Sequence, residues 1–413
     1  MATGISGDEM LLEIMHIISP PLTLNFLIAL AVSFALCILS IATVRWHGRY
    51  SLDTDITGIQ KVHTKRVPRT GGLALCAGVL AVACYGAFDA EAPGAVGDAR
   101  DTMFRLLAAA MPAFVAGIAE DLTKAVAPRT RLFAILASAG LAIWLLDASL
   151  PRFDIWGLDG LLGIFPVSMA LTVFAVAGVT NSINIIDGFH GVAGMASVII
   201  LGGMGAVAWQ AGDMLIVQFT ATVIGATAGF LLLNYPSGRL FMGDGGAYFL
   251  GFLAAEIAVL TMVRNPAVNA WQILAIYAYP VIEVVFSIYR RKIVYGARAG
   301  APDRLHLHSL FYRRYARQKI SRKNYPRLCN AGVACFVATW IGAATCLSVL
   351  FGTRIPVSLA LVLFQCALYI AVYMRLVRGH WGHCRRLAVV FGLRPQPRPG
   401  PVDDGLIGGA HAI

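Results

Sequence analysis

Eleven apolar stretches determine what this chain can fold into, because each is close to the roughly 20 residues that a helix needs to cross a bilayer. Hydrophobic residues make up 58% of the 413 residues and charged residues only 13%, about half the charged share of soluble proteins. The sequence therefore predicts an all-α fold, a polytopic integral membrane helix bundle of about eleven transmembrane helices. The stretches lie at 22–44, 71–87, 103–118, 132–146, 161–180, 192–209, 214–234, 248–263, 270–288, 331–351 and 356–374.

The charges between the stretches predict how the bundle is oriented. Basic residues follow the first, third and ninth stretches, whereas acidic residues follow the second and fourth. Because positive loops stay on the cytoplasmic side, the amino terminus is expected outside and the carboxyl terminus inside. The chain then divides into a short extracytoplasmic segment (1–20), one transmembrane domain (21–376) and a basic cytoplasmic tail (377–413).

The net charge and the cysteines exclude two other classes of protein. A net charge of +11 could indicate a nucleic-acid partner, but the basic residues lie in the loops and tail that the positive-inside pattern explains. We therefore expect no nucleic acid. The eight cysteines fall mostly within apolar stretches and form no CxxC pair, so we expect neither a disulfide nor a zinc framework.

The polar and glycine-rich segments all fall on the predicted cytoplasmic side. A transporter would more naturally bury its ionisable residues near the middle of the bilayer, on broken helices. Confinement to one face favours a membrane-embedded enzyme whose active site faces the cytoplasm. The segments are 61–72, 120–124, 181–194, 234–246 and 303–309.

The segment between the fifth and sixth stretches has the clearest pattern. Asn181, Asn184 and Asp187 follow one another at three-residue steps, so at a helix end they share one face. A carboxylate and two amides at the mouth of a membrane helix are costly to desolvate, which favours a functional role. The alternative is a solvated loop between two spans.

Two further segments carry carboxylates. Glu120 and Asp121 stand together three residues before Lys124, and Asp244 is flanked by glycines. Mg²⁺ prefers one or two carboxylates together with substrate phosphate oxygens, and the N–H groups of Gly245 and its neighbour could face an anion. The alternatives are an acidic pair in an ordinary loop and a plain turn with a solvated aspartate.

Cations and histidines complete the set. Guanidinium and ammonium groups beside paired glycines suit a phosphate-bearing partner, although a positive-inside anchor in contact with lipid headgroups would look similar. Carboxylates for Mg²⁺, cations for phosphate and a surrounding bilayer together indicate phosphoryl transfer onto a lipid. These basic-loop residues are Lys65, Arg69, Gly71, Gly72, Arg304, His306 and His308.

In its motifs the chain resembles the polyprenyl-phosphate N-acetylhexosamine-1-phosphate transferases, the family of the phospho-MurNAc-pentapeptide transferase and of the GlcNAc-1-phosphate transferases. The matching motifs occur in the family's order. They are Pro68-x-x-Gly71-Gly72, Glu120-Asp121-x-x-Lys124, Asn181-x-x-Asn184-x-x-Asp187-Gly188-x-x-Gly191, Phe241-Met-Gly-Asp244-x-Gly246 and His306-x-His308.

The resemblance implies the reaction and its setting. It implies transfer of N-acetylhexosamine-1-phosphate, GlcNAc-1-phosphate above all, from a UDP-sugar to undecaprenyl phosphate, with release of UMP. This would be the initiating step of a cell-surface glycan in the bacterial inner membrane. Mg²⁺ is the implied cofactor, with Mn²⁺ as a possible substitute, and membrane lipids and a second copy of the chain are further possible partners.

The resemblance also implies roles for single residues. Asp121 and Asp244 match the family's Mg²⁺ and pyrophosphate residues, and Asp187, with Asn181 and Asn184, matches the nucleotide-side cleft. The implied metal ligands are Asp121, Asp187 and Asp244. The implied catalytic set is Glu120, Asp121, Asp187, Asp244, His306 and His308. The implied substrate-binding set is Lys65, Arg69, Gly71, Gly72, Lys124, Asn181, Asn184, His190, Asn234, Gly243 and Arg304.

The chain departs from the family pattern at three positions. Glu120 stands where the family usually has aspartate, and His190 where it often has Asp or Asn. Ser309 interrupts the triple-histidine run of the peptidoglycan enzymes, which argues against a MurNAc-pentapeptide donor. Because lipid phosphate has a second pKa near 6, we expect Glu120 to position the metal or the acceptor rather than to abstract a proton. The alternatives are a transporter or flippase, with Glu256 and Glu283 as its membrane carboxylates, and a degenerate scaffold without activity.

Overall fold

The computed structural model describes residues 20–53, 66–87, 95–296, 303, 305–316 and 326–378. In this part of the chain the regular elements are helices, and one isolated bridge joins Leu52 to Pro68. The helices are α1 (Pro20–Ala42), α2 (Val44–Ser51), α3 (Gly71–Tyr85), α4 (Ala95–Thr123), α5 (Pro128–Leu146), α6 (Asp159–Leu162), α7 (Phe165–Ile186), α8 (Val192–Gln210), α9 (Met214–Asn234), α10 (Gly243–Arg264), α11 (Ala270–Tyr289), α12 (Leu307–Phe311), α13 (Pro326–Phe351) and α14 (Ile355–Arg378).

The prediction of an all-α polytopic membrane bundle is confirmed. Ten of the helices in the described ranges are long and apolar enough to cross a membrane, and α3 is a shorter apolar helix of 15 residues. At 1.5 Å rise per residue α3 spans about 22 Å, less than the roughly 30 Å hydrocarbon core. The second predicted span is therefore shorter than a straight membrane-crossing helix.

Two helix ends differ from the predicted spans in a way that matters for the site. Helix α7 continues past residue 180 to Ile186, so Asn181 and Asn184 lie on the helix itself. Helix α10 begins at Gly243, so Asp244 lies in its first turn rather than in the preceding loop. Hydropathy drops where polar residues begin, but the backbone hydrogen bonds of a helix continue through them.

Helix α10 lies at the centre of the bundle. It packs mainly on α4 and α7, with further contacts to α3 and α8. Two glycines allow this close approach: a Cβ on Gly117 would lie 2.5 Å from the Cα of Gly245, and one on Gly72 would lie 2.7 Å from the Cα of Gly246. These separations are far shorter than carbon–carbon contact distances, so larger residues would push α3 and α4 away from the start of α10.

The last two long helices cover the other side of α11. Helix α13 packs on α8 and α11, and α14 packs on α11. The short helix α12 contacts both of them. The C-terminal helices therefore support the segment that carries the two predicted histidines.

Candidate active site

The end of α4 meets the beginning of α10 through one carboxylate. Asp121, which is 1% exposed, accepts hydrogen bonds from the backbone N–H groups of Asp244, at 3.0 Å, and Gly245, at 2.9 Å. The first N–H groups of a helix have no partner within the helix, so Asp121 caps α10 from another part of the chain. The guanidinium of Arg69 lies 3.4 Å from the same carboxylate.

The side chain of Asp244 is held by two neighbouring helices. One carboxylate oxygen forms an ion pair with Arg131 of α5. The other accepts a hydrogen bond of 3.3 Å from the amide of Asn184 on α7. Helices α5, α7 and α10 therefore meet at Asp244, which remains partly exposed.

Asp187 directly follows the last residue of α7 and is close enough to the other two aspartates for their negative charges to affect its pKa. Burial, together with the negative charges of Asp244 and Asp121, raises the pKa of this carboxyl to about 7, while the Arg69 guanidinium opposes the rise. For the Arg69 guanidinium, burial acts to lower the pKa, but four carboxylates, with Asp121 first, hold it above its usual value. We call Asp121, Asp187 and Asp244 the carboxylate cluster; it has more negative charge than its arginines neutralise.

The donor atoms of this cluster fit a hard cation only in part. In the described residues no group of three or more His, Cys, Asp and Glu side chains is close enough to hold a metal ion by itself. Asp121 is buried and both its oxygens accept backbone N–H groups. Asp244, although paired with Arg131 and Asn184, is partly exposed, as is Asp187, so these two are the candidate ligands. Two carboxylates completed by substrate phosphate oxygens are a usual arrangement for Mg²⁺.

The two predicted histidines lie on a segment that one buried glutamate holds. Glu283 of α11 is fully buried, and its carboxylate accepts a hydrogen bond of 2.8 Å from Nδ1 of His306. It also accepts the backbone N–H of Leu307, at 3.1 Å from Oε2. The rings of His306 and His308 lie parallel with centroids 5.4 Å apart. We call residues 306–308 the histidine segment.

The histidine segment reaches the carboxylate cluster at the loop after α7. A Cβ on Gly188 would lie 3.5 Å from Nε2 of His308, and the His308 ring stands edge-on to Phe189, with centroids 5.7 Å apart. Burial lowers the pKa of His308 to about 4, so its imidazole is neutral at physiological pH. An uncharged ring therefore faces the residues that adjoin Asp187.

Several predicted substrate-binding residues hold the loops of the site together. The amide of Asn234 accepts the N–H of Gly191, at 2.7 Å, and donates to the carbonyl of Leu240, at 2.7 Å. The N–H groups of Gly71 and Gly72 donate to the carbonyls of Phe241 and Met242, at 3.0 Å each. These contacts position the segment 238–242, which directly precedes α10. Substrate binding by the same residues stays a prediction.

The end of α4 carries two other predicted residues. Glu120 accepts the backbone N–H of Val126 at 2.8 Å, which fixes the turn into α5. Lys124, with a positive φ of 57°, donates from Nζ to the carbonyl of Asp121 at 2.8 Å. Both side chains are thus placed beside the carboxylate cluster, on its α4 and α5 side.

The remaining predicted residues divide into three groups. Asn181 lies on α7, one turn before Asn184, and is partly buried. The ring of His190 lies 5.5 Å from that of Phe241, and Gly243, with φ of 76°, faces the Asp121 carboxylate so closely that a Cβ would collide with it. Lys65 and Arg304 lie outside the described residues.

Sequence reasoning missed two site residues and undervalued a third. Arg131 is one of the basic residues after the third stretch, which predict only the orientation of the bundle, yet it forms the ion pair to Asp244. Asp53 lies 3.8 Å from Arg69 and carries no motif. Glu283 lies in an apolar span, where a charged residue is costly and usually has a function. This position is the signal that could have identified it as a site residue.

Comparison with known protein families shows which family this chain belongs to. The model for glycosyl transferase family 4 matches residues 103–262. A Bacillus subtilis protein named "Probable undecaprenyl-phosphate N-acetylglucosaminyl 1-phosphate transferase" is 32% identical over 256 residues, which are 60% of this chain and 66% of the relative. The chain belongs to glycosyl transferase family 4.

Other relatives match over similar or shorter regions. An undecaprenyl-phosphate alpha-N-acetylglucosaminyl 1-phosphate transferase of Yersinia pestis is 29% identical over 271 residues, 63% of this chain and 69% of the relative. A phospho-N-acetylmuramoyl-pentapeptide-transferase of Streptococcus thermophilus is 31% identical over 174 residues, 40% of this chain and 49% of the relative. The chain thus spans about two thirds of the first two relatives and about half of the third.

Proposed function

We propose that this family 4 chain transfers GlcNAc-1-phosphate, or a related N-acetylhexosamine-1-phosphate, from a UDP-sugar to a polyprenyl phosphate and releases UMP. The names of the first two relatives support the acceptor and the sugar. The observation that carries the proposal is the convergence of Asp121, Asp187 and Asp244 with Arg69 and Arg131 at one end of the bundle. We place this end at the cytoplasmic side of a bacterial inner membrane.

The chemistry is a displacement at phosphorus. An oxygen of the lipid phosphate attacks the phosphorus that bears the sugar, and the bond from this phosphorus to the bridging oxygen breaks as UMP departs with the electron pair. A phosphate monoester with a second pKa near 6 is mostly a dianion at neutral pH. The attacking oxygen therefore needs no general base, and the protein's task is positioning and charge stabilisation.

The residues of the site divide this task. Arg69 and Arg131 place positive charge beside the aspartates, where phosphate oxygens would enter. Asp187 and Asp244 would hold Mg²⁺, which when bound neutralises the charge of the diphosphate. The neutral imidazole of His308 offers a hydrogen bond beside the loop after α7 without adding charge. Glu120 orients the turn between α4 and α5.

The test measures UMP release from UDP-GlcNAc by the purified protein, with and without undecaprenyl phosphate and Mg²⁺. We expect UMP only when both are present, and a panel of other UDP-sugars would then identify the preferred donor. Asp244→Asn should lower turnover about 10²–10³-fold, the usual loss for one preorganised charge. Asp101→Asn is the matched control, because Asp101 is exposed and forms an ion pair with Arg105 one turn away.

Two results would contradict the proposal. One is UDP as the product, and the other is no nucleotide product from folded protein across the whole panel of UDP-sugars. The transporter alternative is not favoured, since the relatives named above are all transferases. Association into a homodimer stays a prediction.

A further inference from the structure

The fully buried carboxylate of Glu283 receives more hydrogen bonds than a residue that merely fills a membrane helix would need. It accepts from Nδ1 of His306, from the backbone N–H of Leu307 and, at 3.4 Å, from the hydroxyl of Ser287. Two of these donors belong to the histidine segment, which follows Glu283 by more than 20 residues. The contacts therefore tie a loop to a membrane helix rather than completing the helix itself.

We propose that Glu283 is a positioning residue that fixes the histidine segment against the loop after α7, and this inference rests on the proposed transferase function. A carboxylate oxygen can only accept from an imidazole nitrogen, so Nδ1 of His306 carries the proton and Nε2 is the nitrogen left to face other groups. That nitrogen lies 3.9 Å from Asp303. Glu283 thus selects the tautomer of His306 as well as its position.

The second histidine depends on the same carboxylate through the backbone. Leu307 stands between the two histidines, and its N–H is bonded to Glu283, so the parallel stacking of the two rings follows from that anchor. Nδ1 of His308 lies 3.9 Å from Glu283, too far for a hydrogen bond, while Nε2 is directed at Gly188. Glu283 therefore affects His308 by fixing the position of its backbone, without a direct hydrogen bond to its ring.

The surroundings of Glu283 make this position rigid. Tyr279, four residues before Glu283 on α11, and Tyr369 of α14 are both fully buried. Trp340 of α13 packs on both rings, with centroids 5.9 Å and 6.4 Å away. Three helices therefore enclose the carboxylate, and groups that hold a catalytic side chain in this way commonly change rates 10–100-fold when removed.

The experiment compares Glu283→Gln with Glu256→Gln in the full-length protein. Glu256 is a matched control, because it is also fully buried in a membrane helix, yet in the part of the chain that the structure describes neither carboxylate oxygen has a hydrogen-bond partner. For Glu283→Gln we expect kcat to fall about 10–100-fold and KM for the UDP-sugar to change less than about 2-fold. Glu256→Gln should keep both constants near wild type, and Glu283→Ala should lose more than Glu283→Gln.

A second readout does not depend on activity. Hydrogen–deuterium exchange of the peptide 305–311 should be about 10-fold or more faster in Glu283→Gln than in wild type, with peptides from α8 unchanged. Unchanged exchange in this peptide would overturn the inference, as would a rise of KM at constant kcat or an equal loss of kcat in Glu256→Gln. An inactive wild-type protein would instead count against the proposed function, while the exchange data would still decide the role of Glu283.

Discussion

The carboxylate cluster and the histidine segment both depend on a buried acid that accepts backbone N–H groups, but the charge around the two acids differs. Asp121 caps α10. With two further aspartates, Asp187 and Asp244, it forms a cluster with more negative charge than the nearby arginines neutralise. Glu283 is surrounded by donors, and the His308 ring that it places is uncharged. One region is therefore built to gain a cation or a cationic group, and the other to present fixed, neutral hydrogen-bonding groups.

The same contrast exists within the carboxylate cluster. The oxygens of Asp121 accept hydrogen bonds from the protein's own backbone, whereas Asp187 is partly exposed and has a raised pKa, in part because of two other acids. Identical side chains therefore serve as a structural cap in one case and as a candidate ligand in the other. Four measurements would test this difference between the two aspartates and between the two regions.

The largest effect is expected for Asp121→Asn. The amide has one acceptor oxygen in place of two, and it leaves Arg69 without its nearest carboxylate, so we expect a loss of about 3 kcal/mol in the free energy of unfolding. UMP release should fall about 10³-fold. Thermal unfolding in detergent and the turnover assay measure both losses, and wild-type stability would contradict the role of Asp121 as a cap.

Asp187→Asn should separate activity from stability. We expect UMP release to fall about 10²–10³-fold, whereas the unfolding temperature should stay the same or rise, because the variant removes a negative charge from a region with an excess of them. The same two assays apply. If the unfolding temperature fell as far as in Asp121→Asn, the proposed difference between the two aspartates would be wrong.

The close helix approach beside the cluster predicts a smaller, purely structural effect. Gly117→Ala would place a methyl group against the backbone of Gly245, and backbone cannot move aside as a side chain can, so we expect a loss of about 1–3 kcal/mol. Gly202 of α8 is the matched control, since a Cβ there would meet nothing within 4 Å. Gly202→Ala should be neutral or stabilising by up to about 1 kcal/mol, as measured by thermal unfolding, and equal losses in both variants would refute the packing argument.

The smallest effect concerns pH, where the two regions should respond with opposite sign. The pKa of His308 is about 4 in the folded protein and about 6.5 when unfolded, so the unfolded chain binds more protons between these values and stability falls as pH drops through them. For Asp187 the folded value is about 7 and the unfolded value about 3.9, so stability falls as pH rises through that window.

Unfolding temperatures at pH 4.5, 5.5 and 6.5 measure these contributions. His308→Gln should flatten the loss of stability toward acid by an amount on the order of 1 kcal/mol, and Asp187→Asn should flatten the loss toward neutral pH. Parallel pH curves for wild type and both variants would show that neither group contributes as described.

The sequence allowed the polytopic fold and the order of the motifs to be predicted, because hydropathy and short-range spacing are local properties. The cap that Asp121 provides has no local signal, since it joins residues more than 120 positions apart. Arg131 was hidden among the charges that set orientation, and only the folded chain shows its pairing with Asp244. The paired glycines at 71 and 72, beside cations, predict contact with a phosphate-bearing partner, and in the structure their backbone N–H groups donate to the carbonyls of residues 241 and 242.

The cap on α10 also has a consequence for biosynthesis. Asp121 leaves the ribosome 123 residues before Asp244, an interval of roughly 6–25 s at about 5–20 residues per second. Arg69 is made earlier still and lies beside Asp121 in the finished protein, so it is the charge partner already present during this interval. Insertion of α10 then supplies the two backbone N–H groups that Asp121 accepts, while Arg69 stays beside the same carboxylate.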